Sequence, residues 1–341
     1  MATNIYGTAV QGNPTNVSAQ AELLKSADAV ECIDKFVKTI PVAMNKNETI
    51  SFSRAVTPDA TVLEVAEGIN PVSRQITYEQ VTKTFEEYAE VFTVSSRQAE
   101  LGEYDVLMHS KDRLLDLMKR IREKNAWYEY RAGTSVAYNS SAVTSRVQVN
   151  GVIALGRLRL AARALHNNRG QVMREMTKGS VNQATVPVEP AFVVLCHTDC
   201  RADIRNIPGF IVAAQVGGLK DTIPQLFGYV DEFCFITSPE FEPFLASGVA
   251  IGATGLRSVG GVSVDVYSYL VVAKDSLGKC SLRGAEKGGF GGIELNVLGK
   301  ADKSDPTNQR RMVAARWWDA PVILNQNWLY RIECAVLENP L

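Results

Sequence analysis

The sequence predicts an α+β protein with more than one packed region. Three features carry that expectation. Residues 49–97 read as a strand–turn–strand stretch whose second half is too polar for a sheet interior, residues 98–132 carry a long amphipathic pattern, and short strands and helices then alternate before a strand-rich end. The length of 341 residues agrees, because single hydrophobic cores stop growing at about 250–300 residues.

Residues 1–48 read as an arm. Its first stretch is rich in Asn, Thr, Gly and Gln; a short helical pattern follows, with Leu23, Leu24, Ala27, Val30, Ile33 and Val37 on one side. Lys38-Thr-Ile-Pro-Val is extended, since the residue before a proline is driven out of the helical region. An arm of this composition has no core of its own and must lie on this chain or on a neighbour. Residues 49–97 predict a hairpin with a wide tip. Residues 49–56 form one side, residues 76–94 the other, and 64–74, with Glu67-Gly-Ile-Asn-Pro71, the tip. β-Branched and aromatic residues mark the strands. Lys83, Glu86, Glu87 and Glu90 suggest a ribbon that projects into solvent or onto a partner. With Arg54, Glu64, Glu67 and Arg74 they form the set of candidate contact residues.

In the stretch 98–132, Leu107, Leu114, Met118 and Ile121 recur at helical spacing, opposite Lys111, Asp112, Asp116, Lys119, Arg120 and Glu123. A helix of that length would extend about 50 Å. A second helix is expected over 151–169, carried by Val152, Ile153, Leu155, Leu158, Leu160 and Leu165. It stops at His166-Asn-Asn-Arg-Gly170, an Asn/Gly signal for a C-terminus. Strands are expected at 191–196, 232–237 and 264–273. Helices should start at Thr198, capped by Thr198 or Asp199, and at Ser238-Pro-Glu-Phe. Gly248, Gly252, Gly255, Gly260 and Gly261 mark a loop. The part from 293 to 336 is strand-rich, holds Trp317 and Trp318, and opens after Gly288-Gly-Phe-Gly-Gly292. No period of 20 to 50 residues points to a solenoid or propeller.

Composition narrows the function. With 46% apolar and 21% charged residues and a formal charge of -1, the chain is neither a disordered segment nor a dedicated nucleic-acid binder. No apolar run is long enough to span a bilayer, and the N-terminus lacks the basic and apolar regions of a secretion signal. Synthesis and use in a cytoplasm are expected. The six cysteines, mostly inside apolar runs, read as reduced and buried.

Catalytic signatures are missing. The Gly-Lys pairs at Gly278 and Gly299 are not followed by Ser or Thr, and neither HExxH nor Gly-x-Ser-x-Gly occurs. Three histidines exist, His109, His166 and His197. Cys196-His-Thr-Asp-Cys200 hints at zinc but lacks a second ligand pair; the plainer expectation is that Cys196 ends a strand and the rest caps a helix. The carboxylates of the hairpin have no apolar pocket to shift their titration. The arginines of the second helix, Arg157, Arg159, Arg163 and Arg169, read as a solvated or acid-paired face. No catalytic, cofactor or metal residue is assigned.

The order of parts (arm, hairpin, long helix, mixed α/β region, returning strands) resembles the tailed-phage major capsid proteins, whose fold is shared with encapsulins and the herpesvirus shell floor. Within them the chain looks most similar to the N4-like major capsid proteins. The residues that carry this are Asp305-Pro-Thr-Asn-Gln-Arg310, Ala315-Arg-Trp317, Ala320-Pro-Val-Ile-Leu-Asn325 and Tyr330-Arg-Ile-Glu333. Val94-Ser-Ser-Arg-Gln-Ala-Glu-Leu101 and Tyr269-Leu-Val-Val-Ala-Lys-Asp-Ser-Leu-Gly278 add to it. His197-Thr198 stands where relatives often carry His-Pro.

The resemblance implies an N-terminal arm over 1–48, an E-loop hairpin over 49–97, a P domain with its spine helix over 98–150, an A domain over 151–275, and P-domain return strands over 276–341. It implies a non-enzymatic subunit that assembles through pentamers and hexamers into an icosahedral shell around double-stranded DNA, in the host cytoplasm. The implied partners are further copies, a portal protein, a separate scaffolding protein, decoration or cement proteins, and packaged DNA contacted without sequence preference. Neither a membrane nor a cofactor is implied. An encapsulin-like compartment is the alternative, and a soluble α/β hydrolase or transferase the distant one. Related shells cross-link through Lys and Asn; Lys83 and Asn308 are of those types, but spacing alone does not pair them.

Overall fold

The computed structural model describes residues 31–42, 48–96, 106–173, 190–215, 225–282, 293–298 and 306–339, apart from positions 59, 62, 63, 65, 66, 69, 71, 72, 253, 254 and 308. The helical pattern expected before residue 31 and the glycine cluster 288–292 lie outside them.

Apolar runs build the central sheet. Strands β5 (Val136–Tyr138), β6 (Phe192–His197), β7 (Ile211–Val212), β8 (Leu226–Val230), β9 (Phe233–Ser238), β10 (Tyr267–Val272) and β15 (Leu329–Cys334) form one sheet in the order β5-β15-β10-β6-β9-β8-β7. Alternation along β6 divides its side chains between two cores. Phe192 and Val194 join Leu158, Ala161 and Leu165 of helix α2 (Leu155–Asn167). Val193 and Leu195 face Trp127 and Tyr130 of helix α1 (Val106–Arg131). With both faces covered, β6, β9 and β10 read as continuous apolar runs.

Two helix starts differ from expectation. The crossover from β6 to the parallel β9 opens with a 3-10 turn over Thr198–Cys200, then helix α3 (Arg201–Arg205). The side chain that caps the 3-10 turn is neither Thr198 nor Asp199. His197 Nδ1 accepts from the Asp199 amide at 3.1 Å. After β9, Ser238-Pro-Glu-Phe makes a turn and no helix. There Phe241 stacks on Trp127 with centroids 4.6 Å apart, while Glu240 and Glu242 pair with Arg120 and Lys124. These contacts draw the chain onto α1 before a helix can propagate.

Helix α1 is 26 residues long, about 39 Å, and joins two cores. Its first half, through Leu114, Leu115 and Met118, packs on Ile293, Val313, Ala315 and Trp317. These belong to, or flank, a sheet of β4 (Glu86–Ser95), β12 (Glu294–Leu298) and β13 (Arg310–Asp319). A third sheet pairs β1 (Lys38–Val42) with β11 (Leu277–Leu282) and β14 (Pro321–Ile323). Gly278 of β11 lies so close to Leu324 that a Cβ there would meet its Cγ at 2.8 Å.

The expected second hairpin strand over 76–94 is two strands. β2 (Thr49–Ala55) pairs with β3 (Tyr78–Thr84) in the register Thr49↔Thr84 to Ala55↔Tyr78. The next strand, β4, leaves the hairpin and pairs with β13 from Glu86↔Asp319 to Ser95↔Arg310. Phe85 is the pivot: it is 5% exposed, packed with Cys280, Ala320 and Val322. Burying that ring hands the chain from one sheet to another.

Candidate assembly surfaces

No residue of the β2–β3 ribbon is fully buried. One face near the root packs, with Ile50, Phe52 and Val81 half-buried against Phe85, Cys280, Ala320 and Val322, and the rest of the ribbon is held by its ladder. Arg54 pairs with Glu79 directly across the ladder. At the tip, Glu67 and Gly68 form a turn with Gly68 at φ +83°, a backbone region that favours glycine. Glu64 and Glu67 are exposed, and Arg74 donates to the Thr61 carbonyl at 3.1 Å. Ile76 and Tyr78 are 63% and 66% exposed, large apolar side chains turned to solvent beside the tip.

The other four candidates lie elsewhere. Lys83, at the hairpin root, pairs with Glu129 of α1 at 2.9 Å. Glu86, Glu87 and Glu90 belong to β4, outside the hairpin. Glu86 accepts from the Tyr88 hydroxyl, and Glu87 lies 3.6 Å from Arg316. Glu90 is half-buried on the face that carries Tyr88 and Phe92. The eight residues therefore split into a projecting group (Arg54, Glu64, Glu67, Arg74) and a group tied into the body. The partner Asn308 considered for Lys83 lies outside the described residues.

A second surface escaped the sequence reading. The outward side of the β4–β13 ladder places Val91 opposite Ala314 and Glu87 opposite Trp318. Val91 is 51% and Trp318 39% exposed. Arg316, between them, pairs with Glu294 at 2.7 Å. The signal was present: in Arg310-Arg-Met-Val-Ala-Ala-Arg-Trp-Trp-Asp319, alternate residues Val313, Ala315 and Trp317 are buried, which turns Arg316 and Trp318 outward.

The Cys196–Cys200 segment is a structural joint. Asp199 accepts from the Tyr267 hydroxyl at 2.8 Å and lies 3.3 Å from His197 and 3.4 Å from Arg257. Burial holds the His197 imidazole below its ordinary range, against the pull of Asp199. A neutral ring with an Nδ1 acceptor is what the Asp199 amide needs. Both cysteines are buried thiols. Among the described residues no group of His, Cys, Asp or Glu is placed to hold a metal ion, and no helix is long and apolar enough to cross a membrane. Of the four arginines considered on the second helix, Arg159 pairs with Asp231 at 2.7 Å and Arg157 donates to the Asn139 carbonyl at 3.3 Å, while His166 of α2 lies 2.6 Å from Glu232.

Comparison with known proteins places the fold. No family model and no curated protein matches the sequence. Solved structures do. A capsid chain of cyanophage Pam1 is similar with a TM-score of 0.65 and 9% identity, over 95% of this chain and 97% of its own. The capsid of Ralstonia phage GP4 gives 0.65 and 9%, over 97% and 98%. The head of Helicobacter pylori bacteriophage KHP40 gives 0.57 and 9%, over 98% and 99%. The chain has the α+β fold of these phage capsid chains, over nearly their whole length.

Proposed function

We propose that this chain is the major capsid protein of a tailed phage, a non-enzymatic subunit that assembles with its own copies into the icosahedral head of the virion. The observation that carries the reading is a fold matching capsid chains over nearly their whole length, together with a hairpin whose tip a single copy leaves exposed. We assign 1–48 to the arm, 49–97 to the E-loop, 98–150 and 276–341 to the P domain and 151–275 to the A domain. The tail residues from Asp305 to Glu333 support the N4-like group within that fold.

The projecting residues Arg54, Glu64, Glu67 and Arg74 are the proposed contacts to a neighbouring copy, while Lys83, Glu86, Glu87 and Glu90 brace the hairpin root. Many modest contacts of this kind make a closed shell stable through multivalency. The further partners are a portal protein, a separate scaffolding protein, decoration or cement proteins, and packaged double-stranded DNA, with assembly in the host cytoplasm. Correct shells formed by this chain alone would overturn the separate scaffold.

Electron microscopy of the purified protein, made alone and then with its neighbouring genes, tests the reading. Closed shells or rings of five and six subunits support it; a monomer or dimer in both preparations overturns it. A variant with residues 56–77 replaced by Asn-Gly, a two-residue hairpin turn, should stay folded and form no shells.

A further inference from the structure

We propose that the root of the N-terminal segment is held on the long helix by a proton-sensitive latch, in which the Glu123 side chain grips the backbone of residues 32–33 and lets go as it ionises. The latch is a property of the single chain and stands whether or not the chain builds shells.

The grip is geometric. Glu123, on α1, is 3% exposed. Its Oε1 accepts from two consecutive amides, Cys32 at 3.0 Å and Ile33 at 3.1 Å. These residues open the short turn that leads into β1, and both are fully buried against Trp127 and Tyr130. Carboxyl groups and cations crowd the same junction from every side. The N-terminal segment brings Glu31, Asp34 and the exposed Lys35; α1 brings Arg122; β11 brings Lys279; the end of β13 brings Asp319.

The cations are committed elsewhere. Arg122 lies 2.7 Å from Glu31 and 2.8 Å from Asp34, and Lys279 lies 3.0 Å from Asp34. Together they hold the Asp34 carboxyl below its ordinary range, against the burial that raises it. No ion pair among the described residues engages Glu123. Asp319, 1% exposed, accepts from the Ala320 amide through one oxygen, and its second oxygen has no hydrogen-bond partner among the described residues. Among the described residues, four carboxyl groups thus face the buried Arg122 and the half-buried Lys279. An ionised carboxylate in that position is expensive unless paired, and a proton on Glu123 removes the charge while its carbonyl oxygen still accepts.

Burial, with Asp34 and Glu31 nearby, pushes Glu123 up to about 7, the two amide bonds opposing the rise. The Cys32 thiol is pushed up to about 12 by burial and stays neutral throughout. A carboxyl raised in the closed state and ordinary in the open one favours closure at low pH, and closure weakens as pH rises towards and through 7. From an open-state value of 4.5 and a closed-state value of about 7, opening should increase about tenfold between pH 6 and pH 8.5.

Hydrogen exchange of the purified full chain tests this. Peptides spanning residues 31–42, corrected for the intrinsic exchange rate, should show about tenfold more opening at pH 8.5 than at pH 6, while β6 and β9 do not change. Glu123→Gln keeps an acceptor without a charge and should flatten the profile. An unchanged wild-type profile, or a Glu123→Gln profile with the wild-type slope, overturns the proposal. Should that variant fail to fold, Glu31→Gln decides. It removes one like charge that raises Glu123, so the transition must move to lower pH; no movement overturns the latch.

Discussion

Glu333 gives the clearest view of how a single residue acts. Its side chain is 0% exposed and takes a two-pronged bond from Arg146, Nε at 2.8 Å and Nη2 at 2.7 Å, with Arg331 beside it at 2.8 Å. The Arg146 guanidinium in turn lies 3.4 Å from the centre of the Phe244 ring, and Arg131 approaches the same ring at 4.0 Å. One carboxylate therefore ties β15 to the turn over Arg146–Gln148 and, through stacking, to the loop before β10. Glu333→Ala leaves guanidinium groups without their acceptor and should lower the unfolding free energy by about 3–5 kcal/mol, read by urea titration. Lys83→Ala removes a half-exposed pair with Glu129 and should change it by less than about 1 kcal/mol. Glu333 has two cationic partners and no exposure, whereas Lys83 has one partner and a half-exposed pair; burial widens the difference.

At the scale of elements, the long helix was legible because Leu114, Met118 and Ile121 repeat at its period whatever they pack against. The division of the second hairpin strand was not. The inward side falls on Val81, Lys83 and Phe85 and then, one residue out of step, on Tyr88, Glu90, Phe92 and Val94, but the sequence does not say that the partner changes there from β2 to β13. That choice rests on Cys280, Ala320 and Val322, almost two hundred residues or more away. Phe85→Ala should cost about 3–5 kcal/mol and loosen the hairpin root, seen as faster amide exchange in β3. The His197 cap was missed for a different reason: histidine fills that role only when kept neutral, and here burial does so. In β11, Gly278→Val would drive a side chain into Leu324 and should cost about 1–3 kcal/mol by overpacking.

For the whole molecule, the α+β class was readable because the amphipathic helix pattern and the apolar strand runs each have their own composition. The arrangement of the candidate contacts was not, since three of the eight lie on β4 and a fourth, Lys83, is tied to α1 from the hairpin root. Tertiary pairing put them there: Glu129 captures Lys83 and Arg316 approaches Glu87. The surface at Val91 and Trp318 lay hidden in an alternating strand whose buried side could be read but whose outer side had no stated purpose. A two-stranded ribbon packed only near its root is marginal by itself. In the unassembled chain, amides of β2 and β3 should exchange far faster than those of β6 and β9; in shells they should become protected. Equal protection in both states would mean that no neighbour covers the hairpin.

The hand-over at Phe85 also has a mechanical meaning. Because β3 runs straight into β4, a pull on the hairpin along its length reaches the body as a load along β4. That strand is matched to β13 over ten residue pairs, and a load parallel to the strands strains all of these rungs at once, where a peeling force would break them singly. The projecting ribbon is thus moored like a spliced rope. Any tug on the ribbon is shared along the splice, and the single ring of Phe85 is spared from carrying it alone.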